Sequence, residues 1–283
     1  MKRLLSVIGA NCHQGQRKLG PRLAFNRINP LLNFNIESMT FIDNSNFNST
    51  VGYKMLEQSC TSNLNQKRSN IVIGGDHSIA LGSVAASAKK YKNTKILWID
   101  AHPDIHIHST SSSKNLHGMP LGILLGLDGI NKPLIKPEQI IYLGIRDIDS
   151  AEEKFIQNLG ITRFPMKKII DSGIQDILKQ IDKKIGKNPI HVSFDIDVMD
   201  NSLVPGTGTP VKIGLNLNEL GVVLFLTYGR PYFKLLYIVI MFVYSGVADY
   251  FIDDYYFSFL RDCTYFKMVL DWFFMFISNI LCC

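Results

Sequence analysis

The sequence predicts an α/β fold: a single three-layer domain on a mainly parallel sheet, followed by an anomalous hydrophobic C-terminal tail. Three observations carry this expectation. Short apolar runs alternate with longer helix-like segments up to about residue 220, the pattern of a parallel sheet with helices on both faces. The runs are continuously apolar rather than alternating with polar residues, as befits strands covered on both sides. The 283 residues, 46% hydrophobic and 19% charged, have the ordinary composition of a folded chain and suffice for a substantial core.

Taken in order, LLSVIGA (4–10) is a buried strand running into a glycine-containing turn. The two basic residues ahead of it imitate a signal peptide, but the run stops at Asn11 with no cleavage site behind it. IVIGG (71–75) is a strand followed by the helical HSIALGSVAASAKKYK. ILWID (96–100) leads into a polar loop and then MPLGILLGL. QIIYLGI (139–145) precedes DSAEEKFIQNLG, and IHVSFDID (190–197) ends in another loop. Open parallel sheets bind ligands beyond the carboxyl ends of their strands. His77, Asp100 to Asp104, Arg146 to Glu152 and Asp195 to Asp197 therefore fall on one edge.

From about residue 221 the composition changes. Residues 1–220 hold 11 of the 30 Phe, Tyr and Trp, and the last 63 residues hold 19. The chain accordingly divides into an α/β domain, 1–220, whose C-terminal part reads as missing or replaced, and a divergent aromatic and apolar tail, 221–283. LLYIVIMFVYSGVA (235–248) and the terminal MVLDWFFMFISNILCC are strongly apolar, but Lys234 and Asp271 interrupt them, so a membrane span is not expected. Gly221, Gly229 and Pro231 make a poor helix where the alternation asks for one.

The formal charge is +6, but the basic residues are scattered and not interleaved with aromatics, so no nucleic-acid partner is expected. Five cysteines without a CxxC or regular spacing suit a reducing compartment, and the cytoplasm is the expected location.

Six side chains look like a binuclear metal site: His77 in GGDHS, Asp100, His102 and Asp104 in DAHPD, and Asp195 and Asp197 in SFDID. Residues i and i+2 of a strand share a face, so DxHxD and DxD at strand ends aim their ligands into one cavity. Four carboxylates and two imidazoles form a hard, oxygen-rich set that favours manganese, with iron or cobalt as substitutes. Two such ions lower the pKa of a bridging water, making hydroxide available near neutral pH. A proton donor for the leaving group is then needed, and His117 in NLHGMP is the candidate. His106 and His108 read as loop histidines.

IVIGGDHS, ILWIDAHPDI, SSSKNLHGMP and SFDIDVMDNSLVPGTGTP, in this order and spacing, resemble the ureohydrolase family, and within it arginases rather than agmatinases. The resemblance covers about residues 5 to 220. It implies an arginase/deacetylase-like α/β domain, two Mn2+ per chain and a homo-oligomer, a trimer being typical. It also implies hydrolysis of L-arginine to L-ornithine and urea by a metal-bridging hydroxide. Carried over by position, one manganese is held by His77, Asp100, Asp104 and Asp195, and the other by Asp100, His102, Asp195 and Asp197. Asp100 and Asp195 bridge. His117 falls on the proton-shuttle histidine and, with Asp104, is an expected catalytic residue. Ser113 and Asn115 fall where the substrate α-carboxylate is held, Asp149 and Glu152 where the α-amino group is recognised, and Thr209 in the turn lining the pocket.

Three departures qualify the resemblance. His106 stands where arginases carry an Asn that helps hold the α-carboxylate; a histidine can still donate there, so His106 is counted among the expected substrate-binding residues. GQRKLGP is shorter than the corresponding glycine-rich loop. Phe242, in IMFV (240–243), stands near the place of an acidic residue that pairs with the guanidinium. Losing such a charge-assisted contact costs on the order of 2–4 kcal/mol. Another ureohydrolase of agmatinase type and a metal-binding but catalytically impaired homologue stay open as alternatives.

Overall fold

In the computed structural model, which describes residues 4–32, 36–228 and 240–241, the first apolar run becomes β1 (Leu4–Ala10), buried after its first residue. The chain then alternates as its patterning predicts: α1 (Ala24–Ile28), β2 (Ser38–Ile42), α2 (Thr50–Asn65), β3 (Arg68–Gly74), α3 (Ala80–Lys90), β4 (Lys95–Ile99), α4 (Pro120–Leu124), β5 (Ile140–Leu143), α5 (Ser150–Asn158), β6 (Thr162–Phe164), α6 (Met166–Ser172), α7 (Ile174–Ile185), β7 (Ile190–Phe194), α8 (Leu217–Tyr228) and β8 (Ile240–Met241).

Every pairing between these strands is parallel. One half-sheet has the order β2-β1-β3-β8 and the other β6-β5-β4-β7. The short β8 pairs with β3 through Ile73–Ile240 and Gly74–Met241 and also approaches β7, so it lies where the two halves meet. The carboxyl ends align: Ile99 is level with both Leu143 and Phe194. The loops after β4, β5 and β7 consequently leave the sheet at one height.

Alternate residues of a single strand supply opposite faces. Leu97 and Ile99 join a core with Ile141, Leu143 and the Ile177, Leu178, Ile181 and Ile185 stripe of α7. Ile96 and Trp98 turn to the other side, against Val84 of α3 and Leu121 of α4. The three- and four-residue spacing of the α7 stripe keeps one helix face on the sheet. Burying each such aliphatic side chain contributes roughly 1.5–3 kcal/mol, so both layers are anchored by the continuously apolar strands.

Two strands, β2 and β6, are absent from the sequence expectation. Both lie at sheet edges, and both are half-exposed and short. The helix argument from Gly221 also fails locally, because α8 runs through Gly221 and crosses the compositional boundary at 220. A helical glycine costs about 1 kcal/mol, and burial of Leu220 and Val223 in the core offsets it. Gly229 and Pro231 lie beyond the helix. Among the described residues, no helix is long and apolar enough to cross a membrane. Phe242 and the tail stretches, apart from α8 and β8, lie outside the described residues.

Candidate metal centre

The centre is built by one local device used at three strand ends. Asp76 follows β3, Asp100 follows β4 and Asp195 follows β7. In each, the carboxylate Oδ1 accepts the amide two residues on: Ser78 N at 3.0 Å, His102 N at 2.7 Å and Asp197 N at 3.0 Å. These Asx turns stop the strand and satisfy amides that the ladder no longer can. In Asp100 and Asp195 the turn leaves Oδ2 facing inward. Gly75 lets β3 leave the sheet, since a Cβ there would fall on the Cys12 carbonyl.

His77 gathers the carboxylates. Its Nδ1 lies 2.9 Å from Asp100 Oδ2, 2.9 Å from Asp104 Oδ2 and 3.5 Å from Asp195 Oδ2. Its Nε2 is 2.7 Å from Ser193 Oγ, and the ring stacks on Trp98 with centroids 4.1 Å apart. Asp104 reaches this position from a backbone φ of 49°, in the left-handed region that costs a non-glycine residue strain. His102 gathers a second group, with Nδ1 3.0 Å from Asp197 Oδ2 and 3.5 Å from Asp100 Oδ1. The donor atoms of His77, Asp100 and Asp195 lie within 4.8 Å of one another, as do those of Asp100, His102 and Asp197.

Electrostatics explains why this arrangement calls for cations. His77, Asp100, Asp104, Asp195 and Asp197 are all buried. Burial and the repulsion of Asp197 and Asp100 push the Asp195 carboxyl well above its usual range, and burial and Asp100 raise Asp197. Burial opposes charge on Asp100 too, but His102 and His77 outweigh it and hold that carboxylate low. Burial likewise disfavours the His77 and His102 imidazoliums, and the surrounding carboxylates overcome it and hold both rings high. The cluster therefore holds protons in place of other positive charge. His77 Nδ1 and Asp100 Oδ2, buried and close, are not aligned to hydrogen-bond each other and have no other hydrogen-bond partner. A cation between them supplies the partner both lack, so the residues fit a metal of the oxygen-preferring kind.

The family model for the arginase family matches residues 9–229. The chain belongs to the arginase family. Among curated relatives, the arginase of Staphylococcus aureus (strain COL) is 40% identical over 172 residues, covering 58% of this chain and 57% of its own length. The matched stretch spans about half the length of such curated relatives. Among solved structures, the Bacillus subtilis arginase superposes with a TM-score of 0.81 at 27% identity, covering 96% of this chain and 98% of its own. The Entamoeba histolytica arginase, solved in complex with L-ornithine, gives 0.77 at 29% identity, with coverage of 86% and 92%.

In this arginase-family chain, Thr209 contacts the centre directly, Asp149 and Glu152 contact the His106 and Ile105 stretch that follows Asp104, and the hydrogen bonds of Ser113 and Asn115 stay within their own loop. Asp149 caps α5: Oδ1 accepts the Ala151 and Glu152 amides, while Oδ2 lies 2.8 Å from His106 Nε2. Glu152 is buried beneath it, and burial together with the Asp104 charge pushes its carboxyl up to about 8. Thr209 donates from Oγ1 to Asp197 Oδ2 at 3.0 Å. The exposed Ser113 hydroxyl accepts the Asn115 amide within its own loop, at 3.2 Å. His117 stands on the turn Leu116–Gly118, which packs on the His77 turn, and its amide donates to Gly15 O at 3.1 Å.

Sequence reasoning missed several supports. Ser193 and Trp98 lie two residues before Asp195 and Asp100, on the same strand faces, so the period-2 rule that found the ligands could have found them. Asp147 Oδ2, 3.5 Å from His102 Nε2, sits in a loop already placed on this edge. The sequence placed Arg146 on this edge but not its partners, which are the carbonyl of Gly144 nearby and those of Asp197, Val198, Met199, Val211 and Lys212 from distant segments.

Proposed function

We propose that this protein is a binuclear manganese hydrolase converting L-arginine and water to L-ornithine and urea. The observation that carries the reading is the sharing of Asp100 by both compact donor sets, with one carboxylate oxygen toward His77 and the other toward His102. His77, Asp100, Asp104 and Asp195 would hold one ion, and Asp100, His102, Asp195 and Asp197 the other. When bound, the pair supplies a water that ionises near neutral pH. Residues 1–220 provide every one of these ligands.

The chain's own residues divide the remaining work. Thr209 donates to the same Asp197 oxygen that faces His102 and so holds that ligand's orientation. Ser113 and Asn115 offer hydroxyl and amide donors to the α-carboxylate, and Asp149 and Glu152 offer acceptors to the α-ammonium group. His117, whose backbone is tied to Gly15, gives a proton to the departing amine, because an alkylamine leaves slowly unless protonated. A homotrimer in the cytoplasm belongs to the same reading, with the buried Cys12 and Cys60 in no disulfide among the described residues, in keeping with a reducing compartment.

A second reading, a ureohydrolase for another guanidino compound, rests on His106, which already occupies the Asp149 oxygen that the α-ammonium group needs. Urea release by manganese-loaded protein from L-arginine and from agmatine, side by side, decides between them. Faster turnover of arginine is expected. Preference for agmatine would overturn the arginine reading, and manganese uptake without hydrolysis of any guanidino compound would leave an impaired homologue.

A further inference from the structure

We infer that Asp76 is a positioning residue for His117, holding it against the metal centre through Gly15; its effect on turnover rests on the reading of His117 as proton donor given above. Asp76 is the third aspartate of the strand-end device and is buried, yet it joins neither donor set of the centre. The use of its second oxygen sets it apart. In Asp100 and Asp195 that oxygen faces His77. In Asp76 it turns away, and Oδ2 accepts the Gly15 amide at 2.8 Å. Gly15 in turn lends its carbonyl to the His117 amide at 3.1 Å. Meanwhile Asp76 Oδ1 accepts the Ser78 amide at 3.0 Å and the Ser78 hydroxyl, fixing the turn that carries His77. One carboxylate therefore holds a metal ligand's turn with one oxygen and the proton donor's anchor with the other.

The link is tight. The Gln16 amide donates to His13 O at 3.1 Å, closing a turn around Gly15. A Cβ on Gly15 would fall on the Asp76 carboxylate, so the loop comes as near to Asp76 as only a glycine can. The Asp76 amide donates to Cys12 O at 2.9 Å, and the Cys12 thiol, 3.8 Å from Asp76 Oδ2, adds a weak donor, so the end of β3 and the loop after β1 are pinned in both directions. On its far side the His117 turn is tied at Gly118, whose carbonyl accepts the His106 amide at 3.1 Å. Ties on both sides fix the orientation of the turn. Without the Gly15 tie it pivots about Gly118, and the half-buried imidazole leaves the place from which it reaches the departing amine. Proton transfer tolerates this poorly, a misplacement of about 1 Å costing up to about a hundredfold.

The test is Asp76→Asn. An amide offers one acceptor and one NH2 group, and the orientation that still serves both Ser78 donors turns the NH2 toward Gly15. The variant therefore keeps the His77 turn and loses the Gly15 bond. Manganese content should stay at the wild-type level, kcat for urea release should fall about tenfold, and KM should change by less than about twofold. In a His117→Ala background the same substitution should cost less than about twofold, because the group it positions is gone. Hydrogen exchange at the His117 amide should be faster in metal-loaded Asp76→Asn than in wild type. Should Asp76→Asn fail to fold, Gly15→Ala cuts the same link from the loop, and the same kcat loss, faster exchange and dependence on His117 are expected. An equal cost with and without His117, unaltered exchange at the His117 amide, or manganese lost in step with activity would each overturn the inference. If His117→Ala alone turns over at the wild-type rate, the proton-donor reading fails instead, and exchange at the His117 amide still decides whether Asp76 positions it.

Discussion

The donors at the strand ends and the donors at the loop mouth are placed by different physics. Asp100, Asp195 and His77 sit within one or three residues of a ladder, are buried, and are fixed by amides of their own turns. Ser113, Asn115, Asp149 and Thr209 lie on connecting segments, are exposed or half-buried, and are held by loops that cap themselves. The comparison teaches that the sheet dictates where charge concentrates, while the loops dictate what can approach it. Chemistry here is tied to the scaffold and selectivity to its connections.

The comparison breaks most sharply at Asp100. Asp100→Asn keeps the shape but removes the shared charge, and manganese retention and urea release should both fall by at least about a hundredfold, more than loss of a supporting partner costs. Retention of both ions by the folded variant, measured by metal analysis after dialysis, would sink the claim that this carboxylate serves both. Next in size is Arg146→Ala, which removes a guanidinium donating to carbonyls of both regions. A loss of about 2–4 kcal/mol in urea-induced unfolding is expected, and a change under about 0.5 kcal/mol would mean the two regions hold together without it.

Thr209→Val tests the side-chain hydrogen bond from the loop to the Asp197 carboxylate. Losing it should lower kcat/KM about fivefold, the equivalent of roughly 1 kcal/mol. An unchanged value would mean that the Ala101 amide, which donates to Asp197 Oδ1 at 3.2 Å, and His102, 3.0 Å from Oδ2, steady Asp197 sufficiently.

The smallest effect belongs to Asp200, whose carboxylate accepts from the Ser202 hydroxyl and amide and the Gly214 amide and is pulled down to about 2. A depressed carboxylate stabilises the fold above its ordinary pKa of 3.8 and loses that contribution as pH falls through the window toward about 2. Asp200→Asn should therefore cost under about 1 kcal/mol at pH 7, screening being strong at this exposed site. The difference from wild type should shrink between pH 5 and pH 3. A gap that widens on acidification would contradict the assignment.

The same contrast explains what the sequence made legible. Strands β1, β3, β4, β5 and β7 are buried on both faces and announce themselves as apolar runs, whereas the edge strands SMTFI and TRF do not, because an edge needs little burial. The gathering of Asp100, His102, Asp104, Asp195 and Asp197 was legible because a period of two at a strand end is local. The arrangement of Asp149 was not: DSAE reads equally well as a helix cap, and it is one, with the other oxygen of the same carboxylate spent on His106. The partners of Arg146 stayed silent because backbone carbonyls carry no sequence signal.

The position of β8 bears on how the chain is made. During synthesis, β1 to β7 emerge before the strand that pairs with β3 and lies beside β7. Until residue 241 clears the ribosome, the two half-sheets face each other across an open seam with a bare ladder edge on β3. Such edges recruit stray strands from neighbouring chains. The nascent chain is thus most exposed to misassembly at its middle, and it is sealed by a strand that is translated after all the strands it joins.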